Sequence, residues 1–97
     1  MNKTIDNKDI FPGDKLFDLR STHGISLEIM IDEIINKQNM AISWIDFIDA
    51  ARNNKWKEKT IYDNILYGLR DGFVDKNLSN NILDKVTKYM EIKELIL

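Results

Sequence analysis

The sequence predicts an all-α fold: a small single-domain bundle of four or five short helices. Three observations lead there. Apolar residues recur at helical spacing in four successive stretches. No strand alternation of useful length occurs, and the single Asp71-Gly72 pair ends a helical stripe rather than joining two strands. The chain has 97 residues, 43% of them hydrophobic, which suits one modest core.

The elements follow in order. Residues 1–12 form a polar lead, and 13–97 form the helical domain. Phe11-Pro12-Gly13-Asp14 is a turn signal. Lys15 to Leu19 then fits one short helical turn capped by Asp14, and Gly24 stops it. Ser26 precedes Leu27, Met30, Ile31, Ile34 and Ile35, an i, i+3, i+4, i+7, i+8 stripe that ends at Asn39. Ser43 precedes Trp44, Phe47, Ile48 and Ala51, with Asp46 as a partial capping box, and Asn53-Asn54 ends that stretch. Thr60 precedes Ile61, Ile65, Leu66 and Leu69, with Gly72 as the stop. Asn77 or Ser79 precedes Ile82, Leu83, Val86 and Met90.

Ser26, Ser43, Thr60 and Asn77 are spaced by 17 residues. That spacing could be read as a helical repeat of the tetratricopeptide kind. The landmark residues of such repeats are missing, and two units cannot bury a stable core alone. Four short helices with similar loops are the better reading.

Composition excludes several classes of function. There is no cysteine, so disulfides, thiolate nucleophiles and thiolate metal sites are out. The 15 Ile and 9 Leu supply too much apolar surface for a disordered chain. No apolar run approaches the roughly 20 residues of a membrane helix, and Met1 to Asp9 does not read as a secretory signal. Cytoplasm is the expected setting. Net charge is −2, with five basic and nine acidic side chains in residues 1–50 and nine basic and seven acidic in 51–97. A sequence-independent nucleic-acid binder usually carries a basic surplus, which the whole chain lacks.

Candidate chemistry is sparse. His23 is the sole histidine and sits at a predicted turn, so no histidine-rich metal site can form. Asp18, Ser21 and His23 lie close in sequence, but a nucleophilic triad also needs a pocket and an oxyanion hole. Asp46 and Asp49, like Asp32 and Glu33, fall off the apolar stripes and read as solvated faces. No phosphate loop, dinucleotide fingerprint or calcium loop is present. The expectation is a non-enzyme without cofactor or metal.

Two surfaces remain. Arg52, Lys55, Trp56, Lys57 and Lys59 form the one basic cluster with an interleaved aromatic, a candidate RNA contact. In the alternative, Trp56 anchors a helix corner and the cations complement a helix C-terminus. Met90, Ile92, Leu95, Ile96 and Leu97 form an apolar end. It either packs on the core or serves as a partner or homo-oligomer surface.

Gly13-Asp14, Phe17, Leu19, Thr22-His23-Gly24, Phe47, Ala50 and Ala51 carry a resemblance. In order and spacing, residues 13–56 resemble the helical segment that follows the catalytic core of alanyl-tRNA synthetases. The family's Asp-Thr-Tyr-Gly-Phe-Pro is here Ser21-Thr22-His23-Gly24-Ile25-Ser26, and the class II catalytic motifs are absent. The resemblance therefore implies a helical module, related to the part that helps recognise the tRNA acceptor stem, and no aminoacylation. Two functions are thus expected. The first is a small helical regulator or inhibitor, of the kind phages also encode, that docks on a larger protein. The alternative is an RNA-binding module.

Overall fold

The computed structural model describes residues 9–96, with side chains described as far as Glu91. In chain order the elements are β1 (Ile10–Phe11), α1 (Gly13–Ser21), α2 (Leu27–Ile31) running into a π-helical turn (Asp32–Lys37), β2 (Ala41–Ile42), α3 (Trp44–Asn53), α4 (Glu58–Asp71) and α5 (Lys76–Ile96). The fold is all-α, with five helices and one two-stranded parallel pair among the described residues.

From α2 to α5 each helix buries most of the stripe its sequence predicts, with Ile35, Leu66, Ile82 and Leu83 only half-buried. Leu27, Met30, Ile31 and Ile34 face the core from α2 and its π turn. Trp44, Phe47, Ile48 and Ala51 do so from α3, Ile61, Ile65 and Leu69 from α4, and Val86 and Met90 from α5. Leu16 and Phe17 of α1 and Ile42 of β2 complete this core, and no polar side chain is buried among the described residues. Complete burial of one such aliphatic side chain contributes roughly 1.5–3 kcal/mol.

The closest approach in the core is between α1 and α3. A Cβ on Gly13 would stand 1.9 Å from the Ser43 carbonyl oxygen and 2.5 Å from the Phe47 nitrogen. Only glycine lets the start of α1 rest directly on the first turn of α3. Phe17 then meets Phe47 edge-on at 5.7 Å between ring centroids, and Trp44 meets Phe47 in the same way at 5.7 Å.

Several boundaries differ from the sequence expectation. Residues 10–11 are not part of a loose lead, because they pair with Ala41–Ile42. Ala41 N–H donates to the Asp9 carbonyl at 2.9 Å, and Ser43 N–H to the Phe11 carbonyl at 3.0 Å. Two residues per strand are too few for any alternation to show. α1 begins at Gly13, one residue before Asp14, with Pro12 at its N-cap position. α4 begins at Glu58, so Thr60 lies inside the helix. α5 begins at Lys76, where Asp75 Oδ2 accepts the Asn77 and Leu78 N–H groups at 3.1 and 3.2 Å. Asp75 is therefore the cap, not Asn77 or Ser79. Ser43 does occupy the N-cap position of α3, but its hydroxyl donates to Asp46 Oδ2 at 2.7 Å instead of accepting from the backbone. With two of the four starts displaced, the 17-residue spacing does not survive.

The helix ends share a device. Gly24, Asn39, Lys55 and Phe73 all have positive φ, between 54° and 69°. Each precedes an apolar residue whose N–H reaches back to a helix carbonyl. These bonds are Ile25 to Leu19, Met40 to Ile34, Trp56 to Ala51 and Val74 to Leu69. The last two are Schellman stops, since Lys55 and Phe73 also donate to Arg52 and Arg70.

Candidate docking surface

The basic cluster is largely committed within the fold. The Arg52 guanidinium forks onto Glu58, with Nε donating to Oε2 at 2.9 Å and Nη2 donating to Oε1. This bidentate hydrogen bonding raises the Arg52 pKa and lowers that of Glu58, against a smaller opposing effect of burial. Arg52 also lies 5.7 Å from the centroid of the Tyr89 ring, whose hydroxyl donates to Asp49 Oδ1 at 2.7 Å. Arg52 thus joins α3 to the start of α4 and the flank of α5. Lys59 bonds Asp63 at 2.8 Å. Trp56 is half-buried and packs edge-on against Phe17 at 5.0 Å. Lys55 and Lys57 are exposed and make no ion pair among the described residues.

The other sequence candidates are placed as follows. Met90, expected at the apolar end as a partner surface, is buried at 7% exposure as part of the core. Ile92, Leu95, Ile96 and Leu97 lie outside the described side chains. His23 is exposed, with Nε2 3.8 Å from Asp18 Oδ2, and Thr22 Oγ1 donates to the same carboxylate at 2.9 Å. Asp49 is not a freely solvated carboxylate, since it accepts the Tyr89 hydroxyl and ties α3 to α5.

Two features were missed from sequence. The first is the corner between α4 and α5. Phe73 is 80% exposed and holds φ at 60°. A bulky residue in that conformation is a genuine outlier, because its Cβ crowds the following carbonyl. The corner is held by Asn36 of the neighbouring π-helical turn, whose Nδ2 donates to the Gly72 carbonyl at 2.9 Å and to the Phe73 carbonyl at 3.1 Å. The loop that displays Phe73 is therefore fixed, not merely left over. The signal available in the sequence was Gly72 followed by Phe73, which reads as a stop at the glycine. The left-handed slot falls one residue later.

The second feature is an apolar cleft of about 330 Å³ between α3 and α5. Trp44, Ile45 and Ile48 form one wall, Leu78, Ile82 and Val86 the other, and residues 40–43 the back. Its one charged lining residue is Lys85, which is exposed. Ile45 at its edge is 50% exposed. Trp44 is buried, and its indole N–H has no acceptor among the described residues. No helix among the described residues is long and apolar enough to cross a membrane. No protein-family model, curated protein or solved structure matches this chain.

Proposed function

We propose that this chain is a non-enzymatic docking protein that binds a larger protein and modulates it, with Phe73 as an anchor. The observation that carries this reading is the conformation and exposure of Phe73. Glycine at this position would relieve a backbone cost of roughly 1–2 kcal/mol. The ring recovers little of that cost by packing, since it is 80% exposed. An aromatic kept in a glycine slot and pinned by Asn36 supports a role outside the monomer's own stability. Phe, like Tyr and Trp, is enriched at protein interfaces relative to the rest of the surface.

The test is a paired measurement on Phe73→Gly. Its melting temperature should rise by about 4–8 °C, the shift expected from roughly 1 kcal/mol in a domain this small. A stoichiometric protein that co-purifies with the unaltered chain and survives nuclease should be lost. Retention of that partner by Phe73→Gly would overturn the reading. Recovery instead of a discrete RNA, lost on nuclease treatment, would favour the RNA-binding alternative that the synthetase resemblance implies. Lys55 and Lys57 would then be its contacts, each lowering the salt slope by roughly 1 when replaced.

A further inference from the structure

We infer that the α3–α5 cleft receives an acidic amphipathic helix, with aliphatic side chains entering the cleft and a carboxylate meeting Lys85 at its mouth. This rests on the docking reading above but uses a different part of the surface. The volume of about 330 Å³ is at the lower end of the roughly 300–1,000 Å³ usual for ligand clefts. Its lining is apolar except for Ser43 and Lys85, and the Ser43 hydroxyl is already engaged with Asp46.

The shape favours a helix. Leu78, Ile82 and Lys85 follow i, i+4, i+7 along α5, so the wall is a straight stripe. Such grooves are filled by helices that present anchors at the same spacing. The charge favours an acidic one. Lys85 makes no ion pair among the described residues. None of the neighbouring carboxylates lines the cleft. Asp46 accepts from Ser43, Asp49 from Tyr89, and Asp84 lies 3.3 Å from Lys88. Lys85 is thus left as a cation at an apolar mouth.

The test begins with a displayed library of 16-residue amphipathic helices, apolar on one face and random elsewhere. It is selected on the unaltered protein and counter-selected on Ile45→Glu, a half-exposed position whose substitution leaves the core intact. The best clone is then made with a fluorescent label and titrated by anisotropy. Selected helices should carry an excess of Asp and Glu beside the apolar stripe. Lys85→Glu should weaken their binding two- to fivefold and strengthen that of their lysine counterparts. Basic or charge-neutral winners, equal binding to Ile45→Glu, or indifference to Lys85→Glu would each overturn the proposal. So would self-association of the unaltered protein that blocks the helix, since the occupant would then be a second copy. Phe73→Gly should bind the helix normally. Failure of any selected helix to bind the unaltered protein, with a protein partner that is lost on Phe73→Gly, would remove the cleft alone. The reverse pattern would remove the Phe73 anchor alone.

Discussion

Helix α3 has two neighbours that it meets in opposite ways. Against α1 it is closed: backbone touches backbone at Gly13, and Phe17 is set edge-on to Phe47. Against α5 it is open: Tyr89 bridges the seam to Asp49 and Arg52, and Ile82 stays half-buried beside a cleft. The difference shows where this small chain spends its apolar surface. The α1 side commits Leu16 and Phe17 to the core on folding. The α5 side keeps some of that surface in reserve.

The comparison can be broken most sharply at Gly13. Gly13→Ala places a Cβ against two fixed backbone atoms, so α1 must lift from α3. The expected loss is about 3 kcal/mol in urea unfolding, the upper range for overpacking. An unchanged midpoint would mean that the junction is softer than its geometry. Next comes Tyr89→Phe on the open side. Removing a hydrogen bond to a carboxylate should cost about 1.5 kcal/mol and raise amide exchange along α5 more than along α1. A smaller gain is expected from Lys55→Gly. It relieves the positive φ at the end of α3 and should stabilise by roughly 0.5–1 kcal/mol in the same assay.

The smallest effect is on pH. Bonding to Arg52 lowers the Glu58 pKa below its ordinary value of 4.5. The resulting stability is fully present above that value and is lost as pH falls through the lower folded value. Glu58 is over a third exposed, so solvent screens the pair and the contribution is modest. Glu58→Gln should flatten this part of the stability profile between neutral pH and pH 3, measured by urea midpoints.

These sites also mark how much could be read from sequence. The buried stripes of α2 to α5 were legible because burial imposes a 3.6-residue period on residues such as Phe47, Ile61 and Val86. Gly13 was legible only as a turn. Its φ is not positive, and what requires glycine is a contact with Ser43, 30 positions away. Phe73 and Lys55 were illegible as helix stops because Schellman geometry favours glycine, and neither is one. The cleft was illegible for a related reason. Ile82 and Ile45 look like any stripe residues until the packing shows which of them lack a full set of neighbours.

The two-residue strands carry a consequence for the order of assembly. β1 and β2 register Ile10 with Ala41 and Phe11 with Ile42, so they close a loop of 31 residues with very few bonds. Closing such a loop costs roughly 3 kcal/mol of chain entropy, more than so short a ladder returns. The pair is therefore a late clasp. It can hold only after α1 and α3 have met and brought its ends together. Refolding should show β1 amides protected after those of α3, and the first local opening of the native protein should run through the same clasp in reverse.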